Sequence, residues 1–208
     1  TPYSIELIPF AGCPSIVGVY RINRSYSQSC FSHNQLVWER IKKREFDVLI
    51  LASNWANYPR GNNLADTKDL TKSIPNSERS FYANLELQID SLISQEQHTI
   101  FVDSVPNFNN DPTRCNLNKA IFDSQSKCDI DYLSFQNNKL KFTNFITQFA
   151  EKHSTFKVLK LDSQMCGRKC SAQQNGKLIY TDKNHLSEFG SKLMTPYFAE
   201  SINELLSQ

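Results

Sequence analysis

The sequence lacks several features that would assign it to a broad class of proteins. No run of apolar residues approaches the roughly 20 that a membrane-spanning helix needs. Lysine and arginine number 23 against 21 acidic residues, and the basic residues form no stripe interleaved with aromatic side chains. We therefore expect neither nucleic-acid binding nor attraction to an acidic membrane. There is also no internal repeat and no linker, so the 208 residues are expected to form a single domain, 1–208.

Zinc-binding spacings are absent among the six cysteines. They form three sequence-local couples, which are Cys13 with Cys30, Cys115 with Cys128, and Cys166 with Cys170. Zinc sites use Cys-x-x-Cys pairs or nearby histidines, and none of these couples has either. Disulfides in an oxidising compartment are the better interpretation, which indicates a periplasmic or extracellular protein. Proximity alone leaves other pairings open.

Strands and helices alternate along the chain. Apolar runs predict strands at 3–10, 47–51, 99–102 and 156–161, and helical periodicity predicts helices at 36–44, 77–97, 131–153 and 186–206. The run 47–51 is typical of a central parallel strand that is covered on both faces. The segment with Cys115 and Cys128 reads as a long loop. This alternation predicts an α/β fold with a mainly parallel sheet.

The helical periodicity also predicts which side chains face the core. The expected core residues are Leu36, Val37, Trp38 and Ile41 in the first helix, Leu133, Leu140, Phe145, Ile146 and Phe149 in the third, and Phe189, Leu193, Phe198, Ile202 and Leu205 in the last.

Asp182 and His185 lie three residues apart, just before the last helix. If both occupy the turn that enters the helix, their side chains can point the same way. A carboxylate beside an imidazole fixes the tautomer and stabilises the imidazolium, as a general base requires. The structural alternative is that Asp182 caps the helix and His185 is a surface histidine.

The surrounding string is more specific than the pair alone. Residues 180–190 read Tyr-x-Asp-x-x-His-Leu-Ser-x-x-Gly. This string closely resembles the last block of SGNH hydrolases, in the form found in SGNH domains of acyltransferase-3 (OafA-like) polysaccharide O-acetylases. The resemblance implies a flavodoxin-like three-layer fold and a catalytic role for Asp182 and His185. Together with proximity, it favours the three local disulfides.

Two further positions match blocks of this family. Gly12, in Ala-Gly-Cys-Pro, matches the glycine whose backbone N–H enters the oxyanion hole. Asn54, after the strand at 47–51, matches the asparagine that donates to the oxyanion, although the glycine and final aspartate of that block are replaced. The structural alternative is that Gly12 and Asn54 only shape turns.

The first family block, Gly-Asp-Ser with the nucleophilic serine, occurs nowhere in the sequence. The chain starts at Thr1-Pro2-Tyr3, without a signal peptide, as a mature product or an excised piece would. We expect it to cover the family domain without its first strand and nucleophile turn, as a fragment or as a degenerate member. The nucleophile is unassigned.

By resemblance, the expected function is transfer of an acetyl or other acyl group to hydroxyls of a cell-surface polysaccharide, through a serine ester. A membrane acyltransferase-3 domain on the same polypeptide would deliver the acyl group and tether the protein to the inner membrane. No metal, dissociable cofactor or nucleic acid is expected. One alternative is a secreted carbohydrate esterase or deacetylase. The other is a non-catalytic carbohydrate-binding module that has lost its serine.

Overall fold

The computed structural model describes residues 4–22, 24–61, 63–66, 71–122 and 128–207. The chain divides into two compact units, residues 1–98 and residues 99–208. Within the described ranges, every helix is too short or too polar to span a bilayer.

The first unit is built around a long amphipathic helix. Its elements are β1 (Val19–Arg21), α1 (Ser27–Lys42), β2 (Val48–Ala52), a 3-10 turn (Trp55–Asn57), β3 (Leu64–Asp66) and α2 (Ile74–Ser94). Helix α2 begins where the Ser73 side chain accepts the N–H of Asn76 at 3.1 Å. Its buried side chains Phe81, Leu85, Ile89 and Leu92 recur at helical spacing. Strands β1 and β3 pair antiparallel, with Arg21 opposite Leu64.

The second unit contains a parallel strand pair and the last helix. Its elements are β4 (His98–Val102, which starts at the unit boundary), α3 (Pro112–Phe122), β5 (Ile130–Asp131), α4 (Tyr132–Ala150), β6 (Phe156–Leu159), α5 (Asp162–Met165), β7 (Lys169–Cys170), β8 (Gln173–Gln174), β9 (Lys177–Leu178) and α6 (Glu188–Leu206).

Strands β4 and β6 are parallel, with Thr99 opposite Phe156 and Val102 opposite Leu159. The chain crosses between them through α4, whose Phe142 ring lies 6.0 Å from that of Phe101 in β4. Parallel strands joined by a helical crossover confirm the predicted α/β fold. The carboxyl ends of both strands open on one edge, where ligand sites of such sheets are found.

The predictions for the start of the chain are wrong in part. Tyr3 lies outside the described residues, and residues 4–10 form no strand. Glu6 instead pairs with Arg40 of α1 at 2.6 Å. Helix α1 begins at Ser27, well before residue 36, and its buried Cys30 is bonded to Cys13. Leu36 is on the opposite side and is exposed.

Several burial predictions also fail. Ile50 of β2 is 39% exposed, so this strand is not covered on both faces. The buried face of α4 carries Lys139 among its aromatic residues, which turns Leu133 and Leu140 toward solvent. In α6 the buried residues are Gly190, Met194, Ser201 and Leu205, whereas Phe189, Leu193, Phe198 and Ile202 are half-buried. The segment between Val102 and Cys128 is not one long loop, because it contains α3.

Candidate active site

Asp182 and His185 are brought together by the turn that precedes α6. One carboxylate oxygen of Asp182, Oδ1, accepts the backbone N–H groups of Asn184 at 3.0 Å and His185 at 2.9 Å. The other oxygen, Oδ2, lies 2.7 Å from Nδ1 of the His185 ring. The first oxygen therefore shapes the turn, and the second orients the imidazole.

The turn is closed by its own backbone. The N–H of Thr181 donates to the carbonyl of His185 at 2.9 Å, and the Thr181 hydroxyl donates to the same oxygen at 3.2 Å. Tyr180 and Leu186 form an isolated antiparallel bridge on either side. The pair thus lies at the tip of a small loop that its own hydrogen bonds close.

The start of α6 fixes this loop to the protein body. The Ser187 hydroxyl donates to the carbonyl of Leu178 at 2.6 Å and accepts the N–H of Gly190 at 3.0 Å. A side chain at position 190 would place its Cβ 2.1 Å from the carbonyl oxygen of Ile179. The serine and the glycine of the sequence motif therefore allow the helix to approach residues 178–179 closely.

An apolar cluster lies beneath the loop. Tyr180 is fully buried against Phe108, with ring centroids 4.9 Å apart at 70°, and against Ala172 and Ile179. Burial, and then the negative charge of Asp162, raise the pKa of the Tyr180 phenol above its usual range. Tyr180 is therefore a neutral packing residue.

The segment after β4 supports the loop from the other side. The N–H of Phe108 donates to the carbonyl of Lys183 at 2.7 Å. The hydroxyl of Thr113, in the first turn of α3, lies 3.4 Å from the carbonyl of Thr181. Two backbone carbonyls of the loop are thus held by a distant part of the chain.

The electrostatics suit a base and its orienting group. The N–H of Asn184, and then the side chain and N–H of His185, lower the pKa of Asp182 from 3.8 to about 2, against the opposing effect of burial. Asp182 is therefore ionised at neutral pH. An ionised partner at Nδ1 holds the proton on that nitrogen, which leaves Nε2 of a neutral His185 as the basic atom. The His185 side chain is 72% exposed, so Nε2 is accessible to a reactant.

Gly12 lies in a tight turn of the first unit. The N–H of Cys13 donates to the carbonyl of Phe10 at 3.1 Å, and Gly12 has φ +72° in the third position of that turn. A Cβ at this position would also lie 2.6 Å from the hydroxyl of Tyr26. Gly12 is exposed. The left-handed backbone conformation therefore favours glycine here.

Asn54 follows the carboxyl end of β2. Its Oδ1 accepts the side-chain amide of Asn57 at 2.8 Å, and its carbonyl accepts the N–H of Asn57 at 3.2 Å. Because this contact uses the acceptor end of the side chain, Nδ2 is the donor that could meet an oxyanion. The hydroxyl of Ser15 lies 3.5 Å from the carbonyl of Ala52, which brings the segment after Gly12 to the end of β2.

The two candidate pairs belong to different units. Gly12 and Asn54 lie in the first unit, whereas Asp182 and His185 lie in the second. The approach of Gly12 and Asn54 to His185 stays a prediction.

Comparison with known proteins identifies the family. The model of the SGNH domain, fused to AT3 domains, matches residues 2–200. The chain belongs to this SGNH family. No curated protein sequence matches it significantly. A similar solved structure is that of the Salmonella ser. Paratyphi A lipopolysaccharide acetyltransferase periplasmic domain, with 15% identity, 92% of this chain and 69% of that chain covered, and a TM-score of 0.62. That similarity supports the SGNH fold.

The SGNH chain contains three disulfides. Cys13 is bonded to Cys30, Cys115 to Cys128 and Cys166 to Cys170, with Cα–Cα distances of 5.6, 5.6 and 4.2 Å. These are the three sequence-local couples. They fit an oxidising compartment.

A buried ionic cluster of the SGNH domain was not predicted. Lys139 donates to Asp103 at 2.7 Å and pairs with Asp162 at 3.0 Å, and all three side chains are at most 5% exposed. The Tyr132 hydroxyl donates to Asp162 at 3.1 Å and the Thr143 hydroxyl to Asp103 at 3.2 Å. The sequence feature that could have predicted this cluster is a lysine on the apolar face of α4, together with one aspartate directly after each of two apolar runs.

Proposed function

We propose that this SGNH domain transfers acyl groups, acetyl above all, to hydroxyls of a cell-surface polysaccharide outside the cytoplasm. The observation that carries the proposal is the 2.7 Å contact between Asp182 and Nδ1 of His185, which leaves Nε2 accessible. The family context, domains fused to AT3 domains, supports an acyl donor delivered by a membrane acyltransferase-3 domain on the same polypeptide. Such a fusion would tether the domain to the inner membrane. The Salmonella protein is named as a lipopolysaccharide acetyltransferase, which supports the choice of acetyl.

The proposed reaction has two steps, each with one proton transfer. A serine hydroxyl attacks the acyl carbonyl of the donor while its proton passes to Nε2 of His185, and the carrier leaves with that proton. A sugar hydroxyl then gives its proton to Nε2 and attacks the serine ester, and the serine oxygen leaves with the proton. Asp182 stabilises the imidazolium in both steps.

In each step a tetrahedral oxyanion needs donors. We assign this role to the N–H of Gly12 and the Nδ2 of Asn54, since typical oxyanion-hole donors contribute about 3 kcal/mol each. The role requires that the two units form one SGNH domain. The family match over residues 2–200, which includes both units, supports this single-domain proposal.

The nucleophile is not assigned to a residue of this chain, because no Gly-Asp-Ser occurs in its 208 residues. The test is an acetyl-ester hydrolysis assay on this chain and on a longer polypeptide in which a Gly-Asp-Ser block precedes residue 1. We expect the 208-residue chain to remain near background. We expect turnover by the longer polypeptide to fall at least about 10³-fold in His185→Ala and to be blocked by a serine-directed inhibitor.

His153→Ala is the matched control, since His153 follows the end of α4 and has no proposed part in the reaction. Its turnover should stay unchanged. Inhibitor-sensitive turnover by the 208-residue chain would place the nucleophile within it and refute the assignment of the blocks. An inactive longer polypeptide that still binds glycan would favour the non-catalytic module.

Hydrolysis is the second candidate function, because the His185 side chain is 72% exposed and water can reach Nε2. The two reactions differ in the acceptor. With an acetylated serine and added polysaccharide, a transferase yields acetylated glycan, whereas an esterase yields free acetate at an unchanged rate.

A further inference from the structure

Exposed cations border the loop that carries Asp182 and His185. Lys183 lies within the loop itself, between these two residues, and is exposed. Lys177 is also exposed, and its ammonium nitrogen lies 5.3 Å from the centre of the Phe189 ring, in the first turn of α6. The ammonium of Lys177 is therefore located at the helix end that the loop enters.

A third cation comes from the first turn of α3. Arg114 is exposed, and it directly follows Thr113, whose hydroxyl lies 3.4 Å from the carbonyl of Thr181 in the loop. That contact holds the start of α3, and with it the backbone of Arg114, beside the loop. We call Arg114, Lys177 and Lys183 the cationic rim.

The carboxylates close to the rim have other partners. Asp111 accepts the N–H groups of residues 113 and 114 at 2.9 and 3.1 Å. Asp182 binds the turn and the imidazole, and Glu188 pairs with Lys192 at 2.6 Å. Residues 163–181, which run from α5 into the loop, include three basic residues and no aspartate or glutamate. Among the described residues, no carboxylate forms an ion pair with a member of the rim.

The rim gives the surroundings of the exposed base a positive charge. Cations of one sign raise the local concentration of an oppositely charged ligand, over a range of about 8 Å at physiological ionic strength. The His185 side chain is 72% exposed, so an acceptor that reaches Nε2 lies beside the rim. A neutral sugar gains little from this field. A chain of sugars with repeated negative charges can contact several of the cations at once.

We propose that the cationic rim of Arg114, Lys177 and Lys183 binds an anionic glycan, so that the acceptor of acyl transfer is an acidic polysaccharide. The rim would contact carboxylates or phosphates on sugars next to the one whose hydroxyl reaches His185. Arg114 can bind two oxygens of such a group, and the lysines act as point charges. The inference rests on the proposed acyl transfer for its purpose and adds the charge of the acceptor. Its binding is measurable without any turnover.

The test uses the 208-residue chain and three probes. Tetragalacturonate supplies carboxylates, glucose 1,6-bisphosphate supplies phosphates, and maltotetraose is a neutral tetrasaccharide. Nuclear magnetic resonance follows the amide signal of Lys183 and the ring signals of His185 and gives the affinity. We expect at least one anionic probe to shift these signals, with an affinity that falls at least about fivefold between 20 and 200 mM salt. Maltotetraose should leave them unchanged. The probe that binds identifies the anion as a carboxylate or a phosphate.

Variants assign the binding to the rim. The double variant Lys177→Gln, Lys183→Gln should weaken the anionic probe at least about tenfold, and Arg114→Gln about threefold. The control is Lys43→Gln, Lys152→Gln, which removes the same formal charge from two exposed lysines, each placed after a helix and before the strand that follows it. Its affinity should stay within about twofold of the parent. All five positions are exposed, and circular dichroism checks that each variant folds.

Two results would overturn the role of the rim. One is a set of loop signals that no anionic probe shifts, or that maltotetraose shifts as strongly. The other is an equal loss of affinity in the two double variants, which would show that only net charge matters. Neither result bears on the His185-dependent turnover of the longer polypeptide. Conversely, an inactive longer polypeptide that still binds the anionic probe through the rim would refute the acyl transfer and leave the anion binding standing.

Discussion

At the scale of single residues, Asp182 has two tasks that its two oxygens divide. Oδ1 shapes the turn through two N–H groups, and Oδ2 faces the imidazole. Asparagine can reproduce the first task with its carbonyl oxygen, but it offers an N–H group where the imidazole needs an acceptor. Asp182→Asn should therefore keep the turn but remove the negative charge and the acceptor that faces His185.

The lowered pKa of Asp182 predicts how stability responds to acid. Because the pKa falls from 3.8 to about 2 on folding, the ionised carboxylate stabilises the folded chain above about pH 4, and this contribution is lost as the pH falls toward 2. The Asp182 side chain is 46% exposed, so screening keeps the gain below about 1 kcal/mol. Urea unfolding should show Asp182→Asn less stable than the parent at pH 6 and equally stable near pH 2.

Asp90→Asn is the control for this prediction, since Asp90 is exposed on α2. At pH 6 its free energy of unfolding should differ from that of the parent by less than that of Asp182→Asn does. If the difference in free energy of unfolding between Asp182→Asn and the parent stays constant from pH 6 to pH 2, the charge of Asp182 does not stabilise the fold.

At the scale of elements, the approach of α6 to residues 178–179 decides where the loop with Asp182 and His185 lies. The helix can come this close only because position 190 has no side chain. Ser187 then bonds both partners, the carbonyl of Leu178 and the N–H of Gly190. Ser187 and Gly190, at the start of α6, thus set the position of the loop that precedes the helix.

Gly190→Ala should destabilise the protein by about 1–3 kcal/mol, because its Cβ would lie 2.1 Å from the backbone oxygen of Ile179 and the helix must shift. Gly167→Ala is the matched control, since a Cβ at position 167 meets nothing within 4 Å. Chemical denaturation compares the two variants. Equal free energies of unfolding would contradict the steric role of Gly190.

The elements also show what a sequence can and cannot reveal. The Asp182–His185 contact joins residues three positions apart, so a turn before a helix was enough to predict it. Leu133 and Leu140 share a helical face with each other, but the opposite face of α4 packs inward with Lys139. Periodicity predicted the burial of Ile146 and Phe149 correctly. It was wrong for Leu133 and Leu140, because Lys139, which lies on the buried face, counts as polar.

At the scale of the whole molecule, the second unit contains a charge cluster in its interior. Lys139 of α4 joins Asp103, which follows β4, to Asp162, which follows β6. Three elements are therefore connected at the edge where the parallel strands end. The three disulfides, by contrast, each join residues that are close in sequence.

Lys139→Met should lower the free energy of unfolding by about 3–5 kcal/mol, since it leaves two buried carboxylates without their cation. Lys152→Met, on an exposed lysine just past the end of α4, is the control and should change stability by less than about 0.5 kcal/mol. The triple variant Asp103→Asn, Lys139→Met, Asp162→Asn should recover part of the loss. A Lys139→Met protein as stable as the control would show that the cluster is energetically neutral.

The loop with Asp182 and His185 also has a consequence for the order of folding. Its internal side-chain contacts span two to four positions, whereas the contact of Thr113 with Thr181 spans 68. Local turns close in microseconds or less, and distant segments meet later because they must first overcome the entropy of a long loop. A refolding chain would therefore carry an oriented imidazole on a loop that only the start of α6 holds. The segment after β4 then arrives and adds its contacts with Thr181 and Lys183.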